Sequence, residues 1–146
     1  MKKIKFVVVA GAFLFLAAGC GDGVKTSSCS YTDEEADSLI DPRLREWTIK
    51  HKDDIIQQVD VVFYRDADNE EDAEELLEYY TEFYDDIISE TSGFEAENEL
   101  DGNTLVTKVS VDYETSTIGW DSQEIDDEEK YSELKNKIEF IDGSCK

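Results

Sequence analysis

The spacing of apolar residues constrains the fold of this chain most, because it changes from period two to period 3.6 along the sequence. In residues 69–90 the apolar side chains recur at helical intervals and form one broad stripe: Ala73, Leu76, Leu77, Tyr80, Phe83, Tyr84, Ile87 and Ile88. Asp68 and Glu71 have capping-box spacing before the stripe, and Gly93 is typical of the position after a helix. The pattern predicts a helix over residues 69–90.

Alternating apolar and polar residues before this helix predict a β-hairpin, since alternation is typical of strands with one buried face. Its two strands, residues 44–51 and 55–64, are separated by the polar turn at residues 52–54. Trp47, Ile49 and His51 share one face of the first strand, and Ile55, Val59, Val61 and Phe63 share the more apolar face of the second, which is predicted to be buried.

A second hairpin is predicted over residues 94–114, where alternation resumes around an Asp-Gly-Asn turn. Its second strand places five side chains on one face: Leu105, Thr107, Val109, Val111 and Tyr113. The helical period returns over residues 126–141. We therefore expect an α+β domain of order β-β-α-β-β-α, in which two hairpins form an antiparallel sheet and two helices pack on one face.

The N-terminus has the architecture of a secretory signal peptide, with Lys2, Lys3 and Lys5 before an apolar run over residues 6–16. Small residues then precede Cys20 in the sequence LAAGC, which is similar to the processing site of bacterial lipoproteins. The common pattern has Leu where this chain has Ala17, so a plain signal peptide cut near Gly19 is the alternative. We expect residues 1–19 to be a lipoprotein signal peptide, 20–28 a flexible tether and 29–146 a single domain.

This N-terminus predicts that the protein is exported and anchored to the outer face of the bacterial cell membrane by acyl chains on Cys20. Cys29 and Cys145 then remain as an even pair at the two ends of the domain. Such a pair in an exported domain predicts a structural disulfide, whereas a redox-active pair usually has C-x-x-C spacing.

The charge of the chain excludes duplex nucleic acid as a partner. Removal of the three N-terminal lysines leaves 11 basic and 37 acidic side chains, a net charge of −26. Binding to phosphates requires clustered Lys and Arg, which this composition does not offer. The charge is interpreted as a device for solubility, with cation binding as the alternative.

The strongest acidic candidate for a metal site is the stretch that contains Asp66, Asp68, Glu70 and Asp72. Its first residues have the spacing of an EF-hand loop, but Glu71 stands where that loop needs glycine and Leu77 where it needs glutamate. A looser calcium site remains open, and the alternative is an acidic first turn that complements the helix dipole. No metal or other cofactor is assigned.

No catalytic constellation is recognisable in the sequence. Its one histidine, His51, lies at a strand end between Lys50 and Lys52 and is interpreted as a surface residue. Phosphate-binding glycine loops, H-E-x-x-H and C-x-x-C are all absent from the sequence. We therefore expect a protein that is not an enzyme.

The predicted helix also carries glutamates at four successive i, i+4 positions: Glu70, Glu74, Glu78 and Glu82. They are interpreted as a solvated face or as a docking face for a basic protein partner. Among the aromatic residues Tyr79, Tyr80, Phe83 and Tyr84, the last three lie on the core stripe, which favours a core role over a sugar platform. Trp120 lies in a predicted loop, where it is either an anchor or a lid over the sheet.

The order of lipoprotein-type N-terminus, hairpin, acidic helix and second hairpin ending in VSVDY resembles the YehR-like small lipoproteins. The terminal GSCK is similar to the ends of cysteine-paired relatives from low-GC Gram-positive bacteria. The resemblance covers residues 44–146 and implies the same α+β fold, with no activity or catalytic residue to transfer. We expect a monomeric, lipid-anchored protein with a non-catalytic binding or envelope-associated role. The alternative is a carboxylate-based surface protein that binds divalent cations or hydrolyses a substrate.

Overall fold

The computed structural model describes residues 23–36, 41–126 and 128–146. The predicted signal peptide and the predicted lipidation site at Cys20 lie outside these residues. The described chain forms an α+β fold with two helices and one antiparallel sheet of strand order β4-β5-β3-β2-β1-β6. The strands and helices are β1 (Lys25–Thr32), β2 (Leu44–Lys52), β3 (Ile55–Asp66), α1 (Glu70–Glu90), β4 (Phe94–Asp101), β5 (Thr104–Asp112), α2 (Tyr131–Phe140) and β6 (Ser144–Cys145).

The two predicted hairpins are present as β2–β3 and β4–β5. The sheet is larger than predicted because β1 adds to β2 along its whole length and β6 adds to β1. β1 begins at Lys25, so the prediction of a tether over residues 20–28 is wrong for its last four residues. The sequence of β1 does not reveal the strand, since Cys29 is its one buried side chain.

The turn of the first hairpin determines which residues of β3 face the core. Asp53 and Asp54 both have positive φ, at 51° and 71°, as a two-residue hairpin turn of the primed class requires. The register then shifts between Lys50 and His51, so that His51 pairs with Ile56. Ile56 is buried as a result, and the prediction that Ile55 lies on the buried face is wrong.

Both helices are present, but their first residues differ from those predicted. α1 is capped by Asn69, whose side-chain oxygen accepts a bond from the Asp72 backbone N–H at 3.0 Å, so the predicted capping box at Asp68 is wrong. α2 is shorter than the predicted 126–141, because Lys130 is extended and forms a bridge with Ile55 before the helix begins. None of the helices in the described part of the chain is long and apolar enough to cross a membrane.

The core lies on one face of the sheet, where the side chains of five adjacent strands meet the apolar faces of both helices. The predicted faces of β2 and β5 are confirmed, and Ile49, Val59, Val111 and Leu105 are completely buried. α1 contributes Tyr84, while α2 contributes Leu134 and Ile138. We call this side of the sheet the inner face.

Candidate binding surface

The predicted disulfide is confirmed: Cys29 and Cys145 are bonded across β1 and β6, with a Cα–Cα distance of 4.0 Å. The bond joins residues 116 positions apart. It therefore fixes the C-terminus, through β6, to the first strand of the domain. The disulfide thus has a structural role, because it holds the two ends of the described domain together.

The acidic stretch around the start of α1 does not assemble into a metal site in the structure. The Asp66 carboxylate pairs with Arg43 and accepts a bond from Thr104 Oγ1 at 2.7 Å. These two hydrogen bonds lower its pKa. Asp72 accepts a bond from the Asn69 amide at 2.7 Å, and Asp68 and Glu70 are exposed. No group of three acidic, histidine or cysteine side chains suited to a metal ion occurs among the described residues.

His51 is buried, and the interpretation that it is a surface residue is wrong. The residue is only 7% exposed, and its ring stacks on that of Tyr131 of α2 at a centroid distance of 3.9 Å. Its Nε2 lies 3.1 Å from the Ser27 hydroxyl. Burial lowers the pKa of His51, Lys25 lowers it further, and Asp54 opposes the shift.

The Ser27–His51 pair has the spacing of a nucleophile and a base, but its surroundings give it a structural role. A catalytic imidazole needs a group that orients it. Both oxygens of the nearby Asp54 instead accept bonds from Ser132, from the backbone N–H at 2.8 Å and from the hydroxyl at 2.6 Å. Asp54 thus caps α2, and His51 joins β1, β2 and α2.

The exposed side of α1 carries an aromatic pair that the sequence does not predict. Tyr84 is buried at 6%, whereas Phe83 is 40% and Tyr79 is 62% exposed. The prediction that Phe83 lies in the core is therefore wrong: it sits about 60° around the helix from Tyr80, at the margin of the buried stripe. Tyr79 and Phe83 stack with a centroid distance of 6.5 Å and an angle of 10°.

Carboxylates surround this aromatic pair. Glu75, Glu82 and Asp86 are exposed and lie three or four residues from Tyr79 or Phe83, which puts them on the same side of the helix. Over its whole length α1 has ten acidic residues and no basic one. We call Tyr79, Phe83, Glu75, Glu82 and Asp86 the acidic–aromatic surface.

The remaining predicted residue, Trp120, is a lid. Its ring packs edge-on against Trp47 at 6.1 Å and tilted against Phe63 at 6.5 Å, over the centre of the inner face. Two arginines that the sequence analysis did not single out, Arg45 and Arg65, also belong to this face. Residues two apart on a strand point to the same face. The sequence could therefore have placed both arginines on this face, since Arg45 lies two residues from Trp47 and Arg65 two residues from Phe63.

The opposite face of the sheet is less suited to recognition, because its polar groups bond to each other. Lys50 Nζ donates to Gln58 at 3.0 Å, and both Gln58 and Ser110 donate to Asp60, at 3.0 and 2.6 Å. These groups are already satisfied. The acidic–aromatic surface is therefore the better candidate for a binding surface.

A comparison with solved structures supports the fold. The chain is similar to the NMR structure of a protein from Streptococcus pneumoniae TIGR4, with a TM-score of 0.54, 16% sequence identity and 86% of each chain covered. At this identity the likeness concerns the fold alone. No protein-family model and no curated protein matches the sequence.

Proposed function

We propose that this protein is an exported lipoprotein of the YehR-like kind, and that its domain binds a cationic segment of a protein partner outside the cell membrane. Support for export comes from the basic and apolar N-terminus before Cys20 and from the disulfide between Cys29 and Cys145. A diacylated Cys20 gives the two-chain anchoring that holds a protein stably on a bilayer.

The observation that carries the binding proposal is the acidic–aromatic surface of α1. Lys and Arg side chains are attracted to the faces of aromatic rings, and carboxylates at the rim pair with the same cations. An apolar partner would desolvate Glu75, Glu82 and Asp86 without compensation. A partner rich in Lys and Arg instead satisfies the rings and the carboxylates together.

The charge of the domain supports the same choice of partner. A mature chain of net charge −26 attracts cationic segments over a distance and repels acidic ones. We therefore expect fast association that weakens as the salt concentration rises. The charge also keeps the domain away from an anionic bilayer, which leaves α1 free to meet a partner.

The test uses an octapeptide of alternating Arg and Ala as the probe and measures its affinity for the protein by calorimetry. Tyr79→Ala and Phe83→Ala should each weaken binding about fivefold or more, since each removes one of the two stacked rings proposed to contact an arginine of the peptide. Phe140→Ala is the matched control, because Phe140 of α2 is 89% exposed and lies outside the surface. It should bind the peptide like the wild type.

Two results would contradict the proposal. One is equal affinity in the wild type, Tyr79→Ala and Phe83→Ala, which would mean that the peptide senses only net charge. The other is the absence of binding at low salt.

A further inference from the structure

β4 lies at one edge of the sheet, and we call its side away from β5 the free edge. The strand pairs with β5 over all eight of its residues, Phe94–Asp101, without a register shift. In the described part of the chain no strand pairs with the free edge. Such an edge is a template for an added strand, and proteins often disrupt it with a proline or a bulge. β4 has neither of these.

The pairing with β5 determines which backbone groups lie on the free edge. The Asp112 N–H donates to the Gly93 carbonyl at 2.8 Å, so the residues of β4 that bond to β5 are those at odd positions. The residues between them have their N–H and C=O groups directed away from β5. Ala96, Asn98 and Leu100 therefore offer donors and acceptors along the free edge, and all three are only half-buried.

The side chains of β4 that point away from the inner face form a row of carboxylates along this edge. The row consists of Glu95, Glu97, Glu99 and Asp101, all of them exposed. It lies outside the hydrogen-bond network around Asp60. Glu99 pairs with Lys108 at 2.8 Å, which leaves an excess of negative charge in the row.

The first carboxylate of the row borders an open cavity of about 270 Å³. Its lining consists of Gln58, Gly93, Glu95, Ser110 and Asp112. Two of these residues are acidic and none is basic. The cavity thus offers room for a long cationic side chain that reaches over the edge toward Glu95.

A second copy of this chain is a poor occupant of the free edge. If two β4 strands pair antiparallel about Asn98, Glu97 of one lies opposite Glu99 of the other. A register shift of two residues changes the partners but again sets one carboxylate against another. Like charges in opposite positions are destabilising, whereas Lys or Arg opposite the row is stabilising.

We propose that the free edge of β4 binds an extended segment of a protein partner by antiparallel strand addition, and that this segment carries Lys or Arg at every second position. Its backbone bonds to Ala96, Asn98 and Leu100, and its cationic side chains lie beside the carboxylate row. The antiparallel direction follows the rest of the sheet, in which every pair of strands is antiparallel. This site lies outside the acidic–aromatic surface of α1 and does not depend on the function proposed for it.

Two isomeric peptides separate strand addition from attraction between charges. Both are octapeptides of alternating Lys and Val, one methylated on the backbone nitrogens of its valines and the other on those of its lysines. In the proposed complex the valines share a face with Ala96, Asn98 and Leu100, so it is the valine N–H groups that bond to β4.

Calorimetry with the purified protein measures the affinity of each peptide. Methylation of the valine nitrogens should weaken binding about tenfold or more relative to the unmethylated peptide, because it removes several hydrogen bonds. Methylation of the lysine nitrogens, which face away from β4, should change the affinity by less than about twofold. Tyr79→Ala should retain this difference between the peptides, so the failure of either proposal is distinguishable from failure of the other.

A variant and a hydrogen-exchange measurement locate the peptide on β4. Glu97→Gln should weaken binding about threefold at low salt, whereas Glu71→Gln, an equal change of charge at an exposed position of α1, should bind like the wild type. Saturating unmethylated peptide should slow exchange of the Ala96, Asn98 and Leu100 amides about tenfold or more, because each gains an acceptor.

Four results would overturn the proposal. They are the absence of binding of the unmethylated peptide at low salt, equal affinities of the two methylated peptides, weaker binding of the lysine-methylated one, and unchanged exchange of the three amides.

Discussion

Loss of the Cys29–Cys145 disulfide should strongly destabilise this domain. The bond closes a loop of 116 residues, for which the chain-entropy relation gives about 4.9 kcal/mol at 25 °C. Removing a native disulfide from a small exported domain typically costs ~2–5 kcal/mol. With a urea m-value of ~2 kcal/mol per molar, the unfolding midpoint should fall by about 1 to 2.5 M.

Urea unfolding of the wild type with and without a phosphine reductant measures this shift, followed by Trp fluorescence. The variant with both Cys29→Ser and Cys145→Ser should unfold at the midpoint of the reduced wild type. Reductant should then have no further effect on it, which controls for side reactions. A shift below about 0.5 M in the wild type would refute the view that the disulfide constrains most of the chain.

Three other properties of the domain lead to measurable expectations. Tyr84→Ala should cost ~3–5 kcal/mol of unfolding free energy, and Phe83→Ala at most about half as much, since Tyr84 is 6% and Phe83 40% exposed; equal urea midpoints would contradict this placement. Because burial lowers the pKa of His51 from its ordinary value of 6.5, the unfolded chain takes up that proton first as the pH falls. Compared with His51→Gln, the wild type should therefore lose stability below about pH 6.5, and parallel stability–pH curves would count against it. NaCl and CaCl₂ at matched ionic strength should raise the melting temperature alike, because screening acts through a Debye length of ~8 Å; a saturable effect of calcium alone would instead indicate a specific site.

The hairpins and α1 could be predicted because their apolar residues follow one period without interruption. Val59, Val61 and Phe63 recur at every second position, and burial of that face fixes the register of β3. The prediction of this face fails at Ile55. There, a turn in which Asp53 and Asp54 both have positive φ is followed by a register shift, which puts Ile56 on the buried face instead. Those features depend on pairing between strands, which local spacing does not contain.

The rest of the structure could not be predicted because its determinants are distant in sequence. β1 has one buried side chain, and it is held by pairing with β2 and by the disulfide to β6. His51 looks exposed beside two lysines until Tyr131 of α2 covers it. For Arg65, two sequence rules disagree. The alternation of the strand places it on the inner face, whereas its charge predicts exposure, and the residue is buried.

The central claim is that this domain is carried on the membrane by acyl chains at Cys20, and intact-mass analysis of the protein from bacterial membranes tests it most directly. We expect a mature chain that begins at Cys20 and carries the added mass of a diacylglyceryl group. Cys20→Ser should block processing and leave the longer precursor. A chain that begins elsewhere and lacks the added mass, or a Cys20→Ser variant of normal size in the membrane fraction, would contradict the claim.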